Sequence, residues 1–208
     1  MTMSRKEREQ LARRNDIMKA AREVFAKEGY ENASMNRIAK EAEFTKRTLY
    51  QYFKDKADLY LSVLLDIYSE MNEALANEAY QSSNGYETIE KFVEQFRQYY
   101  KNHPNDFRII YDIGKVRKLT DNQKINHFVD RDAQLTKSLA EIIQAGQKDG
   151  SITKKHSAED LAVNLKFILT AVFDKLTVSG ETYTRHIGKS REAFTNGLLE
   201  MVLEPLKE

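Results

Sequence analysis

The stretch SMNRIAKEAEFTKRTLYQYFKDK, residues 34–56, reads as two short helices joined by a tight turn. Ser34 and Thr45 each precede a helical run, and a side-chain oxygen at such a position accepts one of the first unpaired backbone N–H groups of the helix. The turn between the two helices falls at Glu43 and Phe44. This arrangement predicts a helix-turn-helix motif.

The flanking sequence supplies one further helix on each side of this motif. Apolar residues recur at helical spacing within 17–25 and predict a first helix over about 5–28, which Gly29 ends as a C-cap. Asp55 can cap a fourth helix, in which the apolar residues of 59–71 recur every three to four positions. Three helices therefore fill the first 53 residues, and a longer helix follows them.

The composition excludes several classes of protein. The chain has 208 residues, 41% of them hydrophobic, and only two prolines and eight glycines, which favours long helices over strands. It has no cysteine, and its four histidines are scattered, so we expect no metal, no cofactor and no catalytic site. No apolar run is long enough for a membrane span or a signal peptide, so we expect no membrane partner and a cytoplasmic location.

Charge is distributed unevenly along the chain. Residues 1–60 hold 14 basic and 10 acidic side chains, whereas the remainder holds 19 basic and 22 acidic ones. A basic head on an acidic body is typical of a protein whose one end lies near phosphates. The N-terminal Arg5, Lys6 and Arg8 either reach a minor groove as an arm or pair with neighbouring glutamates along the first helix.

The second helix of the motif carries the candidate DNA contacts. Leu49 and Phe53 lie one turn apart and face inward, which leaves a polar face at the N-terminal half that such proteins present to base edges. On this face an arginine can bind guanine with two hydrogen bonds, and a glutamine can bind adenine. A merely solvated face is the alternative, and Tyr52 can equally pack in the core. The predicted DNA-binding residues are Ser34, Lys46, Arg47, Thr48, Tyr50, Gln51, Tyr52 and Lys56.

Residues 17–59 resemble the DNA-binding domain of the TetR family, above all in the run TLYxYFxxK of residues 48–56. Thr48, Tyr50, Tyr52 and Lys56 match positions that commonly touch DNA in that family. Two positions depart from the family pattern. Glu43 stands where a glycine is usual in the turn, and Arg47 replaces a small residue early in the recognition helix.

The resemblance covers about a quarter of the chain, and its implications reach further. It implies a helix-turn-helix DNA-binding domain over 1–55 and a helical ligand-binding and dimerisation domain over 56–208, in an all-α fold of about nine helices. It implies a ligand-responsive transcriptional regulator, by default a repressor, that binds palindromic operator double-stranded DNA as a homodimer. A helical ligand-binding or adaptor protein that does not bind DNA is the alternative, and an all-α enzyme has no motif in its favour.

Helical patterns continue beyond the break at residues 81–85. We expect helices over about 86–102, 105–117, 122–149, 158–178 and 185–204, with Pro104 in the first turn of the second of these, and Gly180 ending the fourth.

Aromatic residues are frequent in these helices, and the resemblance implies that a small, apolar or aromatic effector binds among them. Asp174 and Thr170 lie one turn apart in an apolar run and can supply polar contacts in such a pocket, although Asp174 can equally face solvent or an interface. The predicted effector-binding residues are Tyr68, Met71, Phe96, Tyr100, Phe107, Tyr111, Phe128, Phe167, Thr170 and Asp174.

The last two helices carry apolar stripes, and by resemblance they form the dimer interface. Two amphipathic helices from each of two subunits would build a four-helix interface, although the same stripes can also pack within one subunit. The predicted interface residues are Leu165, Leu169, Val172, Phe194, Leu198 and Met201.

Overall fold

The computed structural model describes residues 3–76, 82–114 and 123–208. These residues form nine α-helices and no strand, which confirms the all-α prediction, and an isolated bridge pairs Ile152 with Lys207. In chain order the helices are α1 (Arg5–Asn32), α2 (Met35–Glu41), α3 (Lys46–Tyr52), α4 (Lys56–Ala76), α5 (Gly85–Asn102), α6 (Pro104–Tyr111), α7 (Gln123–Asp149), α8 (Ala158–His186) and α9 (Arg191–Leu203), followed by a 3₁₀ turn at Glu204–Leu206.

Side-chain caps mark where α1, α2 and α4 begin. Ser4 and Glu7 form a reciprocal capping box at the start of α1. Ser34 accepts the N–H of Arg37 at the start of α2, and Asp55 accepts the N–H of Asp58 at the start of α4. Each of these caps satisfies backbone groups that have no partner inside their helix.

The turn between α2 and α3 contains a strained residue. Glu43 has φ = 57°, a left-handed conformation that disfavours side chains other than glycine and costs about 1 kcal/mol. A hydrogen bond from the N–H of Phe44 to the carbonyl of Ala39, 2.9 Å long, closes the turn around it. The departure from glycine at position 43 therefore leaves the helix-turn-helix geometry intact.

Backbone contacts divide the chain into two units. Unit 1 consists of Met1–Ser69 and Arg108–Val129, and unit 2 consists of Glu70–Phe107 and Asp130–Glu208. The core of unit 1 is apolar and includes the fully buried Ile17, Phe25, Ile38, Leu49 and Leu59. The core of unit 2 is a cluster of aromatic rings, which includes Phe96, Tyr100, Phe107 and Phe173.

Two helix boundaries near the C-terminus differ from the sequence prediction. Helix α8 continues through Gly180 to His186, because Gly180 is buried and keeps a helical conformation instead of ending the helix. The chain turns at Gly188, whose φ is +65°, and Ser190 caps a last helix that begins at Arg191, later than predicted. The predicted helices over 86–102 and 122–149 are confirmed by α5 and α7. The predicted helix over 105–117 begins at Pro104, and residues 115–117 lie outside the described part of the chain.

No helix in the described ranges is both long and apolar enough to cross a membrane. The same residues contain no group of three or more histidine or acidic side chains placed to hold a metal ion.

Candidate nucleic-acid interface

Helix α3 presents one polar face to solvent and seats the opposite face in the core of unit 1. Leu49 is fully buried and Phe53, the C-cap residue, is 1% exposed. Their burial leaves Lys46, Arg47, Tyr50 and Gln51 exposed on the surface. Because the inward pair is one turn apart, the outward residues gather on a single face of the short helix.

The first turn of α3 is held by two threonines. The hydroxyl of Thr45 accepts the N–H of Thr48 at 3.1 Å, and the hydroxyls of Thr45 and Thr48 lie 2.9 Å apart. Thr48 is half-buried, and its hydroxyl already has a partner in the hydroxyl of the N-cap residue Thr45. Ser34 likewise serves as a cap, whereas Tyr52 is half-buried at the end of α3.

Lys56, predicted as a phosphate contact, has protein partners in this structure. Its ammonium group donates to the carbonyls of Tyr30 at 2.8 Å and Ala33 at 2.9 Å, with the carbonyl of Glu31 at 3.4 Å. It also lies 4.4 Å from the centroid of the Tyr30 ring. The side chain therefore ties the start of α4 to the end of α1, a role that the sequence did not reveal. Its contact with phosphate stays a prediction.

The end of α3 is fixed by charged side chains from two other helices. The guanidinium of Arg14 lies 5.3 Å from the centroid of the Phe53 ring. Lys124 donates to the carboxylate of Asp58 at 2.5 Å and to the hydroxyl of Ser62 at 2.7 Å. The other carboxylate oxygen of Asp58 accepts the N–H of Lys54, just after α3. These contacts connect the end of α3 to α1, α4 and α7 within unit 1.

Residues 108–114 contact the N-terminal residues up to 60, here called the head, within unit 1. The carboxylate of Asp112 accepts the N–H of Tyr30 at 2.9 Å, and the hydroxyl of Tyr60 donates to the carbonyl of Ile109. Burial raises the pKa of Tyr60, and the nearby charge of Asp112 raises it further. Tyr60 therefore remains a neutral hydrogen-bond donor. Sequence reasoning missed this cluster because its members are separated by up to 82 positions.

The predicted effector residues are divided between the two units. In unit 1, Tyr68 packs edge-on against Phe128 at 4.8 Å. The side chain of Tyr111 lies outside the described part of the structure. In unit 2, the rings of Phe96, Tyr100 and Phe107 pack against one another and against Phe173 at 4.6–5.8 Å, and Met71 is also buried. In this structure the rings pack against one another as part of the core of unit 2.

The other predicted effector residues lie on α8. Phe167 is 73% exposed, so it lines the outside of unit 2 instead of an enclosed pocket. The hydroxyl of Thr170 donates back to the carbonyl of Lys166 at 2.9 Å, as hydroxyls inside helices commonly do. Asp174 is half-buried.

A cavity of about 490 Å³ opens elsewhere in unit 2, between α4, α5 and α7. The side-chain oxygen of Asn72 in its wall is buried and has no hydrogen-bond partner among the described residues. Sequence reasoning did not select these residues, because an apolar stripe with occasional polar positions is typical of any helix at a core boundary. The lining residues are Asn72, Leu75, Phe92, Arg131, Gln134, Leu135, Ser138, Leu139 and Ile142.

The predicted interface residues fall into two groups. Leu165 and Leu169 are 3% and 0% exposed, so their side chains are already covered within the chain and have little surface to offer a partner. Met201 is 75% exposed, whereas Val172, Phe194 and Leu198 are half-buried and line an apolar groove of about 390 Å³ between α8 and α9. The exposed apolar side chains on these two helices and the turn between them are Val163, Phe167, Ile168, Val178, Tyr183, Ile187 and Met201.

Residues 17–63 match the family model described as bacterial regulatory proteins, tetR family. The HTH-type transcriptional repressor NicS of Pseudomonas putida is 30% identical over 137 residues, which are 66% of this chain and 64% of NicS. This chain belongs to the TetR family. The aligned part thus spans slightly less than two thirds of NicS.

Two other proteins extend the similarity over most of the length of this TetR-family protein. An HTH-type transcriptional repressor of Streptomyces coelicolor is 26% identical over 186 residues, 89% of this chain and 88% of that repressor. The crystal structure of a putative transcriptional regulator from Saccharomonospora viridis in complex with choline covers 94% of this chain and 97% of its own, with a TM-score of 0.73 and 20% identity. This last likeness shows a common fold.

Proposed function

We propose that this TetR-family protein is a transcriptional repressor that binds operator double-stranded DNA through helix α3. The observation that carries the proposal is the exposed face of Lys46, Arg47, Tyr50 and Gln51 on a helix whose opposite face is fully seated in the core. Arg47 offers a planar fork for guanine, and Gln51 offers an amide for adenine. Lys46 and the hydroxyl of Tyr50 are suited to phosphate contacts.

Selection from a library of random duplexes tests this proposal without knowledge of the operator. We expect the full chain to enrich a palindromic sequence, with affinity that falls steeply as salt rises. The Arg47→Ala variant should lose about 1–3 kcal/mol of binding and relax the preference at one base pair. Arg185→Ala is the matched control, because Arg185 is an exposed arginine of unit 2 that pairs with Glu181. The absence of any enriched duplex contradicts the proposal and favours a helical adaptor or ligand-binding protein.

We also propose that the protein is a homodimer built on α8 and α9. The exposed Phe167 and Met201 and the apolar groove beside Phe194 support this, since a chain alone in water would leave this surface uncovered. Two heads related by a two-fold axis would read the two halves of a palindrome.

Sedimentation at micromolar concentration measures this association. The double variant Phe194→Glu, Leu198→Glu should sediment as a monomer, because dimer formation would bury unpaired charge. Asn196→Glu, at an exposed position of the same helix that lines a different groove, is the control and should remain dimeric. A wild-type protein that sediments as a monomer would contradict the dimer.

We further propose that a small, mainly apolar or aromatic effector binds in unit 2 and lowers operator affinity. The cavity beside Asn72 supports this, because leucine, isoleucine and phenylalanine side chains line it together with polar ones such as Gln134 and Ser138. In its wall the buried oxygen of Asn72 has no hydrogen-bond donor among the described residues. Such a site suits a mainly apolar molecule that carries an N–H or O–H group.

Thermal shift with a panel of aromatic alcohols, amines and matched hydrocarbons tests the effector proposal. Molecules that stabilise the wild type should lose their effect in Leu135→Trp, which fills the cavity, and alcohols should lose part of it in Asn72→Leu. Each hit is then added to the protein–duplex complex. A hit must bind the DNA-free state more tightly than the DNA-bound state to release DNA, so hits that leave operator affinity unchanged contradict the switching role.

A further inference from the structure

Asp112 is a buried carboxylate that joins the chain after α6 to the head. It is 7% exposed, and its Oδ2 accepts the N–H of Tyr30 at 2.9 Å. A carboxylate that accepts a backbone N–H forms a charge-assisted hydrogen bond, which is stronger than a neutral one. Ile109 lies three residues before Asp112, and its carbonyl accepts the hydroxyl of Tyr60. The segment of residues 109–112 therefore contacts the head at two places.

Gly29 explains why the N–H of Tyr30 points to a side chain. With φ = 75° and ψ = 167°, Gly29 interrupts the geometry of α1, and the N–H of the next residue bonds to Asp112. A Cβ atom at position 29 would lie 3.3 Å from Oδ2 of Asp112. The glycine therefore supplies both the conformation and the space for the contact.

Tyr30 also contacts Lys56, the first residue of α4. Its carbonyl accepts the ammonium of Lys56 at 2.8 Å, and its ring lies under the same ammonium at 4.4 Å. Lys56 follows the C-cap residue of the recognition helix, Phe53, by three positions. A continuous series of contacts thus leads from Asp112 through Tyr30 and Lys56 to the end of α3.

We propose that Asp112 is a positioning residue for DNA recognition, acting through Tyr30 and Lys56 on the placement of helix α3. This role rests on the proposed binding of operator DNA by α3. In the proposed complex Asp112 itself makes no contact with DNA. It fixes the end of α1, and the end of α1 fixes the start of α4. Loss of the carboxylate leaves the buried N–H of Tyr30 without its acceptor, and the local backbone then shifts to find another partner.

Asp106 provides a matched control for variants of Asp112. It is also a buried aspartate, 3% exposed, and it accepts the hydroxyl of Tyr99 at 3.0 Å. It lies in the first turn of α6 but belongs to unit 2. Replacement of either residue costs a buried hydrogen bond, whereas only Asp112 contacts the head within unit 1.

The experiment measures operator affinity and amide hydrogen exchange in the full chain, with a duplex enriched by the wild type as the probe. We expect Asp112→Ala to bind this duplex at least tenfold more weakly and to exchange the Tyr30 amide faster. Asp112→Asn keeps an acceptor oxygen but loses the charge, so a two- to fivefold loss is expected. Asp106→Ala and Asp106→Asn should melt at lower temperature yet bind the duplex within twofold of the wild type.

The outcomes separate this proposal from the one on which it rests. If the wild type enriches no duplex, both proposals fail. If the wild type binds and the Asp112 variants bind as tightly as the Asp106 variants, only the positioning role is overturned. Should Asp112→Ala not fold, Asp112→Asn against Asp106→Asn decides the question, because both replacements are isosteric.

Discussion

Replacement of Lys56 by methionine should distinguish two roles of this residue, stabilising the fold and contacting a DNA phosphate. The ammonium makes two short hydrogen bonds to the carbonyls of Tyr30 and Ala33, and it faces the Tyr30 ring. A hydrogen bond to a charged group contributes about 1.5–3 kcal/mol, and a partly exposed cation–π contact about 0.5–1 kcal/mol. Lys56 is half-buried, so we discount these figures for solvent and expect a loss of about 2–4 kcal/mol.

This loss is a large share of the typical stability of a domain, about 5–15 kcal/mol. Methionine keeps the unbranched stem of lysine, so the change removes the ammonium group with little change in packing. The carbonyls of residues 30 and 33 lie at the end of α1, where they have no partner inside the helix. Without the ammonium of Lys56, these two carbonyls would need water as their hydrogen-bond donor.

Urea unfolding followed by far-UV circular dichroism measures the change in stability. Lys54→Met is the control, because Lys54 is an exposed lysine two positions away and its loss should change stability by less than about 0.5 kcal/mol. The salt dependence of operator affinity is measured on the same variants. Because the ammonium donors are already used by carbonyls, we expect the salt slope of Lys56→Met to equal that of the wild type.

Two results would refute this reasoning. Equal urea midpoints for Lys56→Met and Lys54→Met would show that the carbonyl contacts contribute nothing. A salt slope reduced by about one in Lys56→Met would show that the lysine neutralises a phosphate, as the sequence predicted.

Two further predictions concern unit 2. In Gly85→Ala the new Cβ would lie 2.3 Å from the backbone Cα of Gly146. A backbone atom cannot rotate away as a side chain can, so α5 and α7 must move apart. We expect a lower melting temperature, equivalent to a loss of about 1–3 kcal/mol of stability. The pKa of Asp149 is lowered by hydrogen bonds from the Ser151 side chain and from the N–H groups of Gly85 and Ser151. A lowered pKa means that this stabilisation is present above the ordinary pKa of an aspartate and is lost as pH falls through the lower folded value. The melting temperature should therefore depend less on pH in Asp149→Asn than in the wild type as pH falls below the ordinary pKa of an aspartate. Identical pH profiles of the two proteins would contradict this prediction.

The helix-turn-helix could be predicted from the sequence because its signals are local. A cap depends on one side chain and the N–H groups two or three residues later, and the caps at Ser34, Thr45 and Asp55 all formed as predicted. The inward positions Leu49 and Phe53 were likewise readable from helical spacing and are buried. Gly180 was misread as a helix end, because a glycine inside a helix and one that ends a helix look alike until packing is known.

The hydrogen-bond partners of polar side chains could not be predicted from the sequence and are defined only by the tertiary structure. Lys56 reads as a basic residue beside a DNA-binding helix, and no local pattern places it on carbonyls more than twenty positions away. On α8 the sequence gives one apolar stripe, but the neighbouring helices cover Leu169 and leave Phe167 exposed. The sequence by itself thus determined the helices, their caps and the recognition face, because those follow from interactions within a few residues. Only the tertiary structure decided which charges are paired and which apolar surface remains for a partner, because these depend on long-range contacts.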